Sequence, residues 1–445
     1  MLFYWDTPEG NSWEAAGGLR YQLQAIRQDH WDIFLKSSVH TVSKDYTQPG
    51  IWMVSLVGVI GSLVSRKHGL RTLSPSIPEH VKQGLRDGKL ILLVDNSMEG
   101  RDLTEAEIVI LHESILEERL PARSIVVVTG SVDTENVYLQ RVRKLAVTRP
   151  DLAEPMISFT YLSCCPDQCD SESELPILQA MRDPDAKDFM SLNHTVKHHR
   201  MEHVYWILKN GFKDRGLINA SWLRNGDMED FTYRQTPRAE LLYNAPDKTY
   251  DMLGVTHNHL PLSADYDLTE AQPNDLPKGH GFYNSELFKK SLLSFVTESE
   301  YVEQESVFVT EKTYKALLAG HPFMVLSPAG TLRYLEAQGF RTDMCDIDPS
   351  YDMVTDEAQR FQLVHRELEK WINTSLEQKH TLIHRDMHKL KHNRDLCNRF
   401  MKTYSHTELA HWEQHTPEIC QTSLWKNFWE IEVFLKAKLD CLENG

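Results

Sequence analysis

The sequence predicts an α/β protein in which two domains, each built on a parallel sheet, are followed by a helical tail. Short, uninterrupted apolar runs recur along the chain, for example at residues 89–95 and 124–130. Segments with helical apolar spacing separate these runs, which is typical of a parallel sheet covered on both faces. A polar, proline-bearing stretch at residues 164–188 divides this alternating pattern into two halves. The chain of 445 residues is long enough for two or three domains.

The first domain is predicted to span residues 1–175 and to be doubly wound, with helices on both faces of its sheet. Its strands are predicted at residues 31–35, 51–57, 89–95, 124–130 and 156–162, and its helices at 79–88, 103–120 and 135–145.

The second domain is predicted to span residues 187–355 and to repeat the doubly wound pattern. Its strands are predicted at residues 188–194, 291–299, 307–310, 322–327 and 341–347, with helices at 199–212, directly after 310 and at 331–339. Residues 356–445 are predicted to form C-terminal helices, at about 356–402 and 423–442, of which the last crosses back to the first domain.

Composition argues against several classes of protein. A net charge of −16 disfavours a chain that coats nucleic acid or an anionic membrane with its whole surface, although a local basic patch is compatible with it. The longest apolar run, residues 51–64, is shorter than the roughly 20 residues that a membrane span needs. The opening MLFYWDTPEG has no basic region ahead of its apolar residues, as a signal peptide would. We therefore expect no membrane association and a cytoplasmic location.

The junction at Thr310, Glu311 and Lys312 is the strongest candidate site. Thr310 suits a helix N-cap, Gly320 suits the end of that helix, and the two charged residues then lie in its first turn. Free N–H groups and the helix dipole favour a phosphate there, and a lysine adds a full positive charge. The same residues are also ordinary chemistry for the start of a helix, so the pattern alone leaves both interpretations open.

Two further turns are predicted to resemble this junction. Asn193 ends a predicted strand, and Lys197, His198, His199 and Arg200 cluster at the start of the helix after it. The planar guanidinium of Arg200 suits phosphate, although a solvated basic turn is the alternative. The turn at residues 327–332 (SPAGTL) has small side chains that would let a ligand approach the backbone.

The segment VFVTEKTYKALLAGHPFMVLSP (residues 307–328) resembles the donor-site signature of α1,3-fucosyltransferase-like glycosyltransferases. The preceding SLLSFVTES, with its terminal Glu298, resembles the strand that comes before that signature in the family. The segment from Asn193 to Arg200 resembles the family's donor arginine segment. The resemblance covers residues 187–345 and extends to poorly characterised, phage-encoded, DNA-modifying glycosyltransferases.

This resemblance implies a GT-B-like fold, in which two Rossmann-like domains face each other across a cleft. It also implies a nucleotide-diphosphate sugar as donor and inverting transfer without a metal ion or a cofactor. Lys312 and Arg200 would neutralise the pyrophosphate and Glu311 would hold the ribose, while Thr310, Asn193 and Glu298 complete the predicted donor-binding residues.

Inverting transfer needs a general base, which we expect from the first domain. Asp95 and Glu99 follow its strongest predicted strand and are the candidates, although carboxylates at strand ends often only cap the next helix. No metal site is predicted, because the cysteine cluster at 164–169 lacks the usual zinc spacing and the Asp346–Asp348 pair falls in a predicted loop.

The most basic stretch lies at residues 379–402, with seven Lys or Arg against two Asp. It also has histidines every four residues, at positions 380, 384, 388 and 392. Lys389, Lys391 and Arg394 are the candidates for contacting the phosphates of double-stranded, modified DNA. A solvated helix face is the alternative.

The predicted function is therefore glycosyl transfer to a hydroxyl acceptor, for which the resemblance favours a 5-hydroxymethylated pyrimidine, hydroxymethylcytosine, in the DNA of a bacteriophage. The alternatives are a transferase for surface glycan or lipopolysaccharide, and a non-catalytic protein that binds nucleotides or nucleic acid.

Overall fold

The computed structural model describes residues 2–4, 41–43, 50–55, 79–96, 102–130, 134–152, 157–160, 174–193, 197–220, 262–263, 285–301 and 307–405. The chain divides into two compact units, one formed by Met1–Cys164 with Thr403–Gly445 and the other by Cys165–Lys402. The predicted α/β class is confirmed, because each unit contains a mainly parallel sheet with helices between its strands. The domain limits given above stay predictions.

The sheet of the first unit has six parallel strands. They are β1 (Leu2–Tyr4), β2 (Thr41–Ser43), β3 (Gly50–Ser55), β4 (Leu90–Asn96), β5 (Ile125–Thr129) and β6 (Ile157–Thr160). Their spatial order is β2-β1-β3-β4-β5-β6, and every neighbouring pair is parallel. The strands predicted by the last four apolar runs of this unit are confirmed, whereas β1 and β2 were not predicted. The strand predicted at residues 31–35 lies outside the described residues.

Three predicted helices of this unit are confirmed as α1 (Glu79–Arg86), α2 (Glu105–Glu117) and α3 (Thr134–Thr148). The start of α2 is fixed by a capping box, in which Thr104 accepts a bond from the Glu107 amide and the Glu107 carboxylate accepts one from the Thr104 amide. Apolar side chains from the strands and from these helices form one buried core, with Leu92 and Ile108 each about 1% exposed.

The sheet of the second unit has five strands, and the direction of its strand order reverses between β7 and β10. The strands are β7 (Phe189–Asn193), β8 (Gly216–Ala220), β9 (Leu262–Ser263), β10 (Ser294–Thr297) and β11 (Phe323–Leu326), in the order β11-β10-β7-β8-β9. All neighbours are parallel except β8 and β9. The chain thus adds β8 and β9 on one side of β7 and then β10 and β11 on the other side.

Seven helices are described in the second unit or extend from it. They are α4 (Pro176–Ala180), α5 (His198–Lys209), α6 (Ser285–Phe288), α7 (Glu311–Leu318), α8 (Thr331–Ala337), α9 (Glu357–Asn373) and α10 (Leu376–Ser405). As predicted, α7 ends next to Gly320, which adopts the left-handed conformation (φ 58°) that glycine tolerates. The helix predicted at residues 423–442 lies outside the described residues.

The helical tail packs on the sheet of the second unit through buried polar contacts. In α9, the Arg360 Nε donates to the Ser327 carbonyl at 3.0 Å and the Trp371 Nε1 donates to the Asp188 carbonyl at 2.8 Å. These bonds hold α9 to the ends of β11 and β7.

Two strand predictions are wrong, because apolar burial does not require pairing in a sheet. Residues 307–310 form no strand, although Phe308 and Val309 are buried. Residues 341–347 form no strand either, since Cys345 and Asp346 both have a φ of 56° and make a turn. The Cys345 amide donates to the Asp386 carboxylate on α10, which fixes that turn.

A buried hydrogen-bond chain joins β7 to α9 through two histidines. The His365 Nδ1 donates to the Phe361 carbonyl at 2.7 Å, so a neutral His365 offers Nε2 as an acceptor. The His203 Nδ1 lies 2.8 Å from that atom and must donate to it, which leaves its own Nε2 to accept from the Ser191 hydroxyl at 2.9 Å. Neutral forms of both histidines therefore satisfy every bond of this chain.

We expect this histidine pair to make the fold acid-sensitive. Burial lowers the pKa of His365 to about 3 and holds the pKa of His203 well below its usual value. Because unfolded histidines have a pKa near 6.5, the unfolded chain binds more protons below that pH, and stability falls from about pH 6.5 down to about 3. In urea titrations between pH 7 and 5, His365→Gln should reduce the slope of unfolding free energy against pH by up to about 1.4 kcal/mol per pH unit.

The matched control is His388→Gln, which changes an exposed histidine of α10. We expect it to keep the wild-type slope. Equal slopes for the wild type and His365→Gln would contradict the neutral, buried pair.

Candidate functional site

Charged side chains of the second unit gather at the carboxyl ends of β7 and β10, where the strand order reverses. Ligands of open α/β sheets bind outside the carboxyl ends of strands at such a reversal. Strand β7 ends at Asn193 and leads into α5, while β10 ends at Thr297 and is followed by Glu298. The position is therefore the expected place for a ligand.

The Glu298 carboxylate organises the first turn of α7. Its Oε1 accepts bonds from the Thr310 amide at 3.0 Å and from the Thr313 hydroxyl at 2.5 Å. Its Oε2 accepts bonds from the Thr310 hydroxyl at 2.5 Å and from the Ser299 amide at 3.2 Å. Glu298 is fully buried, and its two oxygens join the end of β10 to the start of α7.

The Lys312 ammonium lies in this first turn and is partly exposed. Its Nζ donates to the Glu311 carboxylate at 2.9 Å, to the Ser299 hydroxyl at 3.1 Å and to the Thr310 hydroxyl at 3.2 Å. The Lys312 side chain is 25% exposed, against 10% for that of Glu311. Thr310 also accepts from the Lys312 amide, which confirms it as the N-cap.

Two side chains at the start of α5 donate hydrogen bonds to the backbone at the end of β10. The Arg200 Nη2 donates to the carbonyls of Thr297 and Glu298, at 3.4 and 3.1 Å, and the His199 Nε2 donates to the Glu298 carbonyl at 2.9 Å. Burial lowers the pKa of Arg200, while the nearby carboxylates of Glu298 and Glu311 act in the opposite direction. Arg200 is 2% exposed, and the two bonds given above are made to backbone carbonyls of the chain itself.

Lys197 is a second partly exposed cation at this edge, and it was not among the predicted donor-binding residues. Its Nζ donates to the Ser299 carbonyl and forms an ion pair of 2.9 Å with Glu300. Because the Lys312 Nζ contacts the hydroxyl of the same serine, two ammonium groups flank Ser299. The sequence signal for Lys197 was its membership of the basic cluster at the start of this helix, from which only Arg200 was chosen as a donor-binding cation.

Asn193 ties the ends of the two central strands together. Its Oδ1 accepts a bond from the Thr297 hydroxyl at 2.7 Å, and its Nδ2 donates to the Ser191 hydroxyl at 3.1 Å. The asparagine is fully buried, so it lies beside the site without an exposed surface. The predicted donor-binding residues Thr310, Glu311, Lys312, Arg200, Asn193 and Glu298 thus all lie at one sheet edge, with Lys312 the most exposed described member.

The turn at residues 327–332 is bonded internally. Both oxygens of the Asp352 carboxylate accept amide bonds at the start of α8, from Leu332 at 3.0 Å and from Arg333 at 3.2 Å. Burial raises the pKa of Asp352. A carboxylate of the chain therefore already fills the place that the small residues of this turn suggested for a ligand.

The candidates for the general base stay predictions. Asp95 lies in β4, one residue before the end of that strand, and its backbone is in register with Ser55 of β3. Glu99 lies outside the described residues.

The basic stretch of α10 is largely engaged with the chain itself. Lys389 forms an ion pair of 2.9 Å with Asp343, and Arg394 is 5% exposed. Lys391 is exposed. The burial of Arg394 argues against its predicted role in contacting DNA phosphates, whereas Lys391 is accessible for such a contact.

Other features of the described ranges bear on metals and membranes. No three His, Cys, Asp or Glu side chains in these ranges are placed to hold a metal ion. The Asp346–Asp348 pair lies in a loop as predicted, with Asp346 in an ion pair with Arg385 and Asp348 capping the turn at Pro349–Met353. None of the helices described combines the length and the apolarity needed to cross a bilayer.

Fold and site together define a two-unit α/β protein with partly exposed cations at the strand-order reversal of its second unit. No family model matches the chain, and no curated protein matches it. Among solved structures, the chain is similar to an α,α-trehalose 6-phosphate synthase from Burkholderia multivorans, with 10% identity and a TM-score of 0.33 over 91% of this chain and 95% of that one. A similarity at this level carries no argument about function.

Proposed function

We propose that the protein is a glycosyltransferase that moves a sugar, with inversion, from a nucleotide-diphosphate sugar to a hydroxyl acceptor. The observation that supports this most is the partly exposed Lys312 ammonium in the first turn of α7, at the reversal of the strand order. A diphosphate leaving group develops negative charge as the bond to the sugar breaks, and a positioned cation stabilises that charge.

Each residue at this edge of the sheet has a separate role in the proposed binding of the donor. Lys312 faces the diphosphate, and Lys197, on the other side of Ser299, provides a second positive charge. Arg200 adds its buried charge behind them. Glu311 exchanges its bond with Lys312 for hydrogen bonds from the ribose hydroxyls, which frees the ammonium for the donor.

The chemical step needs one base and one leaving group. The acceptor oxygen attacks the anomeric carbon from the face opposite the diphosphate, the bond to the diphosphate oxygen breaks, and that oxygen keeps the electron pair. Asp95 or Glu99 takes the proton of the acceptor hydroxyl. Lysine and arginine side chains, rather than a metal ion, provide the positive charge in this proposal.

A panel of nucleotide sugars tests the proposed activity. The protein is incubated with UDP-, GDP-, ADP- and dTDP-sugars together with hydroxymethylated DNA, lipopolysaccharide or simple glycans, and the product mass is read. We expect one donor to give both a glycosylated product and the free nucleotide diphosphate. If no donor gives either, the proposed transfer activity fails, and a non-catalytic binding protein is the alternative that is tested next.

For the acceptor, we propose a 5-hydroxymethylated pyrimidine, hydroxymethylcytosine, in bacteriophage DNA, modified in the cytoplasm of the host. The family resemblance and the exposed Lys391 support this choice. The ion pair of Lys389 and the burial of Arg394 leave fewer cations for DNA than the sequence suggested. A transferase for surface glycan or lipopolysaccharide is the alternative, and the acceptor arms of the panel separate the two.

If DNA is the acceptor, Lys391→Glu is expected to weaken DNA binding several-fold. Removing one phosphate contact should also reduce the slope of log affinity against log salt concentration by about one. Binding is measured by fluorescence anisotropy of a labelled hydroxymethylated duplex over a range of salt concentrations.

Lys213→Glu is the matched control, because it changes the charge of the same unit equally at another exposed lysine. Equal losses for the two variants would show that only total charge matters, and would remove α10 from the acceptor site.

A further inference from the structure

We propose that Glu298 is a positioning residue whose ionised carboxylate directs the Lys312 ammonium toward an anionic ligand through the Thr310 hydroxyl. The inference rests on the proposed function for the nature of the ligand. It differs from the prediction that Glu298 binds the donor directly, because the carboxylate is fully buried and its described bonds are made to the chain.

The hydrogen bonds of Glu298 require a carboxylate with two acceptor oxygens. Each oxygen faces one backbone N–H, from Thr310 at Oε1 and from Ser299 at Oε2, and a backbone N–H can only donate. An amide in this place would turn its NH2 group toward one of those two N–H groups in either orientation. The ionised carboxylate is the form that can accept all four bonds, from the two N–H groups and from the hydroxyls of Thr310 and Thr313.

The Thr310 hydroxyl links the Glu298 carboxylate to Lys312, because it is hydrogen-bonded to both side chains. Because Glu298 Oε2 accepts the hydroxyl proton at 2.5 Å, the lone pairs of the Thr310 oxygen are left for other donors. The Lys312 ammonium at 3.2 Å and the Lys312 amide at 3.4 Å take those places. The direction of one hydroxyl proton therefore connects the buried carboxylate to the partly exposed ammonium.

The other partners of the ammonium fit this role. Ser299, whose amide donates to Glu298, offers its hydroxyl oxygen to Lys312 at 3.1 Å. Glu298 thus bonds to both residues whose hydroxyls hold the ammonium, to the side chain of Thr310 and to the backbone of Ser299. The third partner, Glu311, is the charged group that an anionic ligand would replace.

Inorganic pyrophosphate is the probe for the test, since its binding needs no turnover. We expect Glu298→Gln to raise the Kd for pyrophosphate by about tenfold or more, as for the loss of a charge-assisted contact. One of the two backbone amides, Thr310 or Ser299, should also exchange with solvent faster, because a glutamine leaves one of them without its acceptor. In transfer assays, KM for the donor should rise while KM for the acceptor stays unchanged. The control is Glu369→Gln, an exposed glutamate of α9.

Two variants of Thr310 keep the test valid if Glu298→Gln does not fold. Thr310→Ser retains the hydroxyl and should bind pyrophosphate like the wild type, whereas Thr310→Val removes it and should show the loss. Where Glu298→Gln folds, its effect on Kd should be far from additive with that of Thr310→Val, because both act on the same bond.

The outcomes separate this inference from the proposed function. Wild-type pyrophosphate affinity in Glu298→Gln, or in Thr310→Val, would overturn the inference, as would a wild-type protein that binds no pyrophosphate. Pyrophosphate binding that depends on Glu298, in a protein that transfers no sugar from any donor, would support the inference and overturn the proposed function.

Discussion

Lys312→Ala is expected to lower kcat/KM for sugar transfer by about 100-fold or more, the usual cost of removing one donor aimed at developing negative charge. The variant loses the ammonium in the first turn of α7 and leaves Glu311 without its ion-pair partner at 2.9 Å. Initial rates are measured with the donor found in the panel. Thermal unfolding is measured in parallel, to establish that the variant is folded.

Lys315→Ala is the matched control, because Lys315 lies in the same helix but in its last turn. We expect this control to retain transfer activity. Lys312→Arg should recover only part of the activity, because a planar guanidinium does not reproduce the contacts of a compact ammonium with two hydroxyls and a carboxylate. Full activity in Lys312→Ala would remove this residue from the donor site.

The sequence predicted the longest apolar strands and missed the short ones, together with the five-residue strand β8 (Gly216–Ala220). Runs such as residues 89–95 and 124–130 carry enough consecutive apolar residues to identify β4 and β5. Strands of three residues or fewer, such as β1, β2 and β9, are too short for any periodicity. Residues 307–310 show the opposite error, since they are buried by packing and hydrogen-bonded to Glu298 without pairing as a strand.

The location of the predicted donor-binding residues within the fold could be predicted from the sequence, but the contacts among them could not. A cap followed by an acid and a base located the start of α7, and Arg200 was placed correctly at the neighbouring helix start. The sequence could not indicate that Glu298 bonds back to Thr310 and Thr313, because those contacts depend on how residues 12 and 15 positions apart are brought together. Likewise, no local pattern indicated that the Asp352 carboxylate accepts the Leu332 amide at the start of α8, because the two residues are 20 positions apart in the chain.

Asp188→Asn is expected to destabilise the second unit by about 3–5 kcal/mol, because it leaves a buried ammonium without its carboxylate. Asp188 accepts from the Lys379 Nζ at 2.5 Å and pairs with the Arg215 Nε at 2.5 Å. The Lys379 side chain is 1% exposed and lies over the ring of Trp371, at 5.7 Å from its centroid. Such a loss is a large share of the roughly 5–15 kcal/mol that stabilises a typical protein, and it is measured by urea unfolding.

A second change on the same pair distinguishes an uncompensated charge from a simple loss of contacts. Asp188→Asn combined with Lys379→Met removes both charges and keeps an apolar stem in the same space, so it should recover much of the lost stability. The exposed pair of Glu174 and Arg182 is the control, and Glu174→Gln should leave the unfolding midpoint near the wild type. Because Asp188 precedes β7, at the end of the strand opposite Asn193, the double variant should also keep pyrophosphate binding. If the double variant is as unstable as Asp188→Asn alone, the buried ammonium is not the cause of the loss.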